Sequence, residues 1–110
     1  WEQHQEWMLE KIADVTNYFY IITDIKDQNK VGVVRLDRLG QGLYLVSIYV
    51  DPRSYGKGIA QAALVVIDKL HPHITIEATV LSQNSVSQRL FEKANYQRIS
   101  PEKFLRNPII

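Results

Sequence analysis

Tyr44-Leu-Val-Ser-Ile-Tyr-Val-Asp-Pro-Arg-Ser-Tyr-Gly-Lys-Gly-Ile59 decides the reading of this chain. The stretch opens as an apolar, β-branched strand and stops at Asp51-Pro52. A tight loop carrying Arg53, Gly56, Lys57 and Gly58 follows, and an apolar-periodic helix begins at once. The first N–H groups of a helix have no intrahelical partner and lie at the positive end of the macrodipole. A glycine loop feeding such a helix start therefore suits a phosphate-bearing ligand, with Arg53 and Lys57 as added positive charge. The spacing excludes two familiar phosphate motifs. A P-loop needs glycines five positions apart followed by Lys and Ser or Thr, and a dinucleotide fingerprint needs a third glycine where Gln61 stands. An ordinary strand-to-helix turn remains the alternative for the loop taken alone.

Arg53-x-x-Gly56-x-Gly58 resembles the pyrophosphate-binding signature of the GNAT superfamily of acyl-coenzyme-A-dependent N-acyltransferases. A second segment resembles the other signature of that family. There a strand (Ile74 to Leu81) leads to Asn84, then to a helix with Val86, Leu90, Phe91 and Ala94 on one face. The run Phe91-Glu-Lys-Ala-Asn-Tyr96 closes it, with Asn95 where the family has glycine. That position calls for a left-handed backbone, which Asn tolerates better than other residues with a Cβ.

The resemblance implies an α+β fold in α/β/α layers: a mixed sheet of an antiparallel meander plus a βαβ unit, with helices on both faces. Periodicity places a helix from Trp1 to Ala13, with Trp7, Met8, Lys11 and Ile12 near one face. Strands follow at Tyr18–Thr23, Val31–Leu36 and Leu43–Val50, a helix at Lys57–Leu70, and a last strand from Tyr96 to Ile99. Family members usually open with a strand and helix that this reading does not find. The implied form is a single, N-terminally short domain over residues 1–110, whose sheet edge or open groove calls for cover by a homodimer partner or a fused domain.

The implied activity is acetyl transfer from acetyl-coenzyme A to a small amine. By the same resemblance, the strand Leu43–Val50 splays from the strand at Ile74, and backbone groups of Ile48 and Val50 pair with the pantetheine arm. The Tyr49 or Val50 N–H is the oxyanion donor, and the amides of Arg53, Ser54, Tyr55, Gly56, Lys57, Gly58, Ile59 and Ala60 hold the pyrophosphate. Asn84 contacts the cofactor or caps its helix. Phe91, placed by the resemblance among the cofactor contacts, occupies the position where many members have a proton-donating Tyr, and a phenyl ring cannot donate. Glu77 is a candidate base, with a solvent-facing strand carboxylate as the alternative. His4-x-x-Trp7 is similar to a motif in members that acetylate amino-sugar nucleotides, which implies His4 and Trp7 on the acceptor side, with anchoring of the local structure as the alternative. Tyr44, near a position where some members carry a glutamate base, is a further candidate base on that side. His71 and His73 read as surface residues and, as a bare His-x-His, as no metal site.

Composition narrows the classes. Thirteen basic against twelve acidic residues lack the excess of a nucleic-acid binder. The absence of cysteine removes thiol and disulfide chemistry. No apolar run is long enough for a membrane helix, and a soluble, cytoplasmic protein is the expectation. Two rivals stand beside the enzyme: a non-catalytic coenzyme-A-binding or oligomerisation domain, and an interaction module whose glycine loop binds nothing.

Overall fold

The computed structural model describes residues 7–12 and 17–110. In chain order the elements are β1 (Trp7–Ile12), β2 (Tyr18–Asp24), β3 (Lys30–Gly40), β4 (Leu43–Val50), α1 (Ile59–Leu70), β5 (Thr75–Thr79), α2 (Ser85–Lys93), β6 (Gln97–Ser100) and β7 (Lys103–Arg106). The strands form one mixed sheet of order β1-β2-β3-β4-β5-β7-β6. β1 to β4 are an antiparallel meander, β4 and β5 are parallel across α1, and β7 pairs antiparallel with both β5 and β6.

One face of this sheet carries the core. Tyr20, Ile22, Val34, Leu36, Tyr44, Val46, Ile76, Ala78 and Phe104 alternate along their strands and bury against Ile59, Ala63, Leu64 and Ile67 of α1 and Phe91 of α2. Both helices lie on that face. Arg106 of β7 reaches Asp68 of α1 (2.7 Å), while Phe104, two residues earlier on the same face, meets Phe91 of α2 with ring centroids 6.1 Å apart. The expectation of helices on both faces is thus met on one face among the described residues.

Four elements differ from the sequence reading. Residues 7–12 form a strand, not part of a helix, because Trp7, Leu9 and Lys11 line up with Asp24, Ile22 and Tyr20 of β2 and turn their side chains to the core face. Period two and period 3.6 both fit so short a run, and a neighbouring strand decides between them. β3 continues through Arg38 and Leu39 to Gly40, so the turn shrinks to Gln41-Gly42, with Gly42 at φ 68°. β7 was not read at all: Lys103-Phe-Leu-Arg106 has no apolar alternation, since its second core-facing residue is the buried Arg106. In α2 the expected apolar face keeps Leu90, Phe91 and Ala94, but Val86 is 70% exposed.

The end of α2 follows expectation. Asn95 takes φ 67°, its N–H donates to Glu92 O, and the Tyr96 N–H donates to Phe91 O. The Tyr96 and Phe91 rings close the motif at 5.1 Å. This is the Schellman arrangement, with Asn supplying the left-handed residue.

Candidate acyl-donor and acceptor site

β4 is the scaffold of the site. On one side it pairs with β3 from Leu43 to Val50. On the other it pairs with β5 only over Leu43↔Thr75, Tyr44↔Ile76 and Leu45↔Glu77. Beyond Leu45 the two strands part. The Asp51 N–H donates to Val31 O across the β3 side at 2.7 Å. Backbone groups alternate along a strand, so the N–H and C=O of Tyr49 also face β3, while those of Ile48 and Val50 face the gap left by β5. Between the two oxyanion candidates this alternation leaves Val50, because the Tyr49 N–H points into the β3 ladder.

The loop above the gap is shaped by short-range bonds. Asp51 accepts the backbone N–H of Arg53 at 3.0 Å and so caps the turn Pro52–Ser54. Its other oxygen holds the Arg53 guanidinium at 2.8 Å. Those hydrogen bonds keep the Asp51 carboxyl below the usual range and raise the Arg53 guanidinium. The Arg53 side chain, 90% exposed, lies beside Asp51 and lines a hollow of about 360 Å³ with Asn29, Lys30, Val31 and Ser54. Lys57 is likewise exposed.

Gly56 and Gly58 have φ of 81° and 72°. A Cβ on either would meet nothing within 4 Å, so the requirement for glycine here is the left-handed backbone. Gly58 is the N-cap of α1 and offers no side-chain cap; its carbonyl accepts Ala62 N–H at 3.0 Å. The amides of Ile59, Ala60 and Gln61 precede the first intrahelical donor, and the Ile59 side chain anchors this end in the core at 3% exposure. A helix start with no side-chain cap, above an unpaired strand edge, is what a diphosphate joined to an amide-bearing chain requires.

A sequence model for the acetyltransferase (GNAT) family matches residues 1–96. The chain belongs to the GNAT family. No curated protein sequence matches it significantly. Solved structures share the fold. One is a chimera of the spermidine N-acetyltransferase SpeG from Vibrio cholerae and hSSAT, at 18% identity and TM-score 0.71, covering 86% of this chain and 69% of that one. Another is a ribosomal-protein-alanine acetyltransferase from Vibrio fischeri, at 15% identity and TM-score 0.69, covering 84% and 62%. A protein assigned as a phosphinothricin N-acetyltransferase gives 18% identity and TM-score 0.74, covering 86% and 73%. This GNAT chain therefore spans from 62% to 73% of the lengths of these three structures.

The remaining expected site residues divide by place. Asn84 caps α2: its Oδ1 accepts the Ser87 N–H at 3.1 Å, and the residue is exposed. Its side-chain N–H groups are not needed for that cap. Phe91 is 6% exposed and packs on Tyr96 and Phe104, so its ring is a core element and not a cofactor contact. Tyr44 is 8% exposed, with its ring 5.4 Å from Tyr18; burial raises its pKa first, then the Tyr18 hydroxyl. That placement removes Tyr44 from the acceptor side. Trp7 packs against the core from β1, three strands from β4, which takes it away from the gap. His4 lies outside the described residues. Glu77 is the last β5 residue in register with β4, on the face opposite the helices.

His71 corrects the surface reading, whereas His73 is exposed as expected. The His71 Nε2 lies 2.6 Å from the Tyr20 hydroxyl, and its ring is 4.3 Å from that of Tyr18. Burial first, then Lys11 and Arg106, lower its pKa. Arg106 was missed altogether. At 4% exposure it bonds Asp68 Oδ1 (2.7 Å), His71 O (2.6 Å) and Ile74 O (2.8 Å), clamping the end of α1 to β5 and β7. No local pattern distinguishes such an arginine from a surface one. Among the described residues no helix is long and apolar enough to cross a membrane.

Proposed function

We propose that this chain is an acetyl-coenzyme-A-dependent N-acetyltransferase domain acting on a small primary amine. The observation that carries the reading is the early end of the β4–β5 pairing, which leaves the Ile48 and Val50 backbone groups unpaired below the bare N-terminus of α1. Family membership supports acetyl transfer as the general chemistry. The backbone groups of Ile48 and the C=O of Val50 pair with the amides of the pantetheine arm as an added strand would. The amides of Ser54 to Ala60 take the diphosphate, aided by Lys57, and Asn84 offers its side-chain N–H groups from the start of α2. The thioester supplies an activated acyl carbon. The Val50 N–H donates to its oxygen as negative charge builds there.

Proton transfer is the weak part of the machinery. Phe91 brings no hydroxyl, and general acid catalysis contributes about 10²–10⁴-fold where present. A coenzyme-A thiolate with a pKa near that of cysteine, about 8.5, leaves without obligatory protonation, so the reaction is slowed and not forbidden. Phe91 also favours a second reading, a coenzyme-A-binding domain without turnover. The amino-sugar acceptor has less support, since Tyr44 is buried in the core and Trp7, partly buried, packs against it from β1.

Calorimetric titration with acetyl-coenzyme A, paired with a free-thiol assay over a panel of amines, tests both readings. Dissociation constants on the order of micromolar are expected. Lys57→Ala should weaken binding about tenfold, the scale of one charge-assisted contact. Arg53→Ala should change it less, because Asp51 already holds that guanidinium. Binding without thiol release for any amine would select the non-catalytic reading. No binding by the folded chain would reject both.

A further inference from the structure

A second hollow, of about 330 Å³, lies where the last turn of α1, the end of α2, the β6–β7 pair and the segment after β7 meet. Its polar walls are Asp68, Asn95, Gln97, Arg106 and Asn107. Asp68 stands about 14 Å along α1 from Ile59 at 1.5 Å per residue, so the hollow is well away from the glycine loop. Two buried polar atoms beside it lack a partner among the described residues: Arg106 Nε and the Tyr96 hydroxyl. Both residues are 4% exposed. Arg106 commits Nη1 to Asp68 Oδ1 and Nη2 to two carbonyls, which leaves Nε. The Tyr96 ring packs on Phe91, and its hydroxyl is within electrostatic reach of two walls of the hollow. Burial raises its pKa first, Arg106 opposes that, and Asp68 adds to it. Buried donors without partners are rare in folded proteins. Two of them beside one hollow mark a place where a ligand supplies the acceptor.

The charge and chemistry of the walls select the ligand. Asp68 and Arg106 neutralise each other at 2.7 Å, and the other polar walls are uncharged amides. An ion of either sign would sit beside a like charge and lose part of its hydration, whereas a neutral molecule avoids both costs. Ala94, Leu105 and Ile109 add apolar wall, and the volume is that of a small-molecule pocket. The Arg106 Nε–H and the Tyr96 O–H are both donors, and one carbonyl oxygen, with two lone pairs, accepts from both. A carboxamide also brings N–H groups for the Asp68 carboxylate and the side-chain carbonyls of Asn95 and Asn107. We infer that this hollow binds a small neutral carboxamide carried on an apolar body, its C=O on Arg106 Nε and the Tyr96 hydroxyl and its N–H groups toward Asp68. The site stands apart from acyl transfer, since none of its residues belongs to the β4–β5 gap or the glycine loop. Its occupant adds a bond to the arginine that clamps α1 to β5 and β7.

NMR titration of the chain with benzamide tests the assignment, beside benzoate, benzylamine and benzyl alcohol as probes of similar size that change the charge or remove the carbonyl. Benzamide should give saturable shifts at residues 94–97 and 105–107 and none at 56–60. A dissociation constant on the order of a millimolar is expected for a ligand of so few atoms. The other three probes should bind about fivefold more weakly or worse, the scale of one lost hydrogen bond. Tyr96→Phe keeps the ring against Phe91 and removes only the hydroxyl. It should weaken benzamide by about the same factor. Urea denaturation of the free variant should show it at least as stable as the parent, because an unpaired buried hydroxyl has been removed. Three results would each overturn the inference: no saturable shifts at those residues in the parent, tighter binding of any comparison probe, or benzamide affinity unchanged in a folded Tyr96→Phe variant.

Discussion

The two ends of β4 are built for opposite purposes. At the Leu43 end the strand is paired on both sides, and Tyr44 is buried with its ring 5.4 Å from that of Tyr18. At the Val50 end one edge is unpaired, and the chain passes into two left-handed glycines and an uncapped helix start. Satisfied backbone and buried side chains hold a structure; unpaired amides in a fixed position hold a ligand.

The comparison can be broken most severely at the clamp. Arg106→Met removes three hydrogen bonds and leaves Asp68 and two carbonyls without their partner. Truncating one side of a buried pair costs about 3 kcal/mol or more. Urea denaturation should show that loss, with little change in acetyl-coenzyme A affinity for molecules still folded. A parallel loss of affinity in folded protein would mean that the two ends are not separable.

Gly32→Ala attacks the ligand end from behind. A Cβ there would lie 2.3 Å from Tyr49 O and 3.2 Å from Val50 Cα, so β3 and β4 must move apart. Overpacking of this kind costs about 1–3 kcal/mol. Here the folded protein should also bind acetyl-coenzyme A less tightly, because Val50 is displaced. Unchanged affinity would argue that the gap tolerates a shift of its strand.

The smallest effect is expected from acid at His71. Its folded pKa is lowered, so the unfolded chain takes up a proton that the folded chain resists. Stability is complete above the ordinary histidine value of about 6.5, falls as pH drops below it, and levels off beneath the folded pKa. His71→Gln should flatten that part of a stability–pH curve. A slope that persists in the variant would assign it to another group.

Much of the ligand end was legible beforehand because its determinants are local. A glycine pair forces positive φ, a proline ends a strand, and Asn84 and Asn95 serve as cap and left-handed residue within a few positions of the bonds they make. The end of α2 was readable down to its backbone for that reason. Local signals failed where a partner distant in sequence chooses the outcome. Residues 7–12 become a strand because β2 lies beside them, and Arg106 is buried because Asp68 and two carbonyls converge on it from 32 to 38 residues away.

The sequence by itself determined the family, the order of most strands and helices, and the left-handed glycine loop that opens α1. Tertiary structure alone decided where the β4–β5 pairing stops, and so which backbone groups stay free. It also decided that Phe91 and Tyr44 pack inward, that Arg53 leans on Asp51, and that Glu77 stands at the fork on the open face. Motifs set backbone conformation through bonds a few residues long, whereas the free edge of a strand is defined by the neighbour that turns away from it.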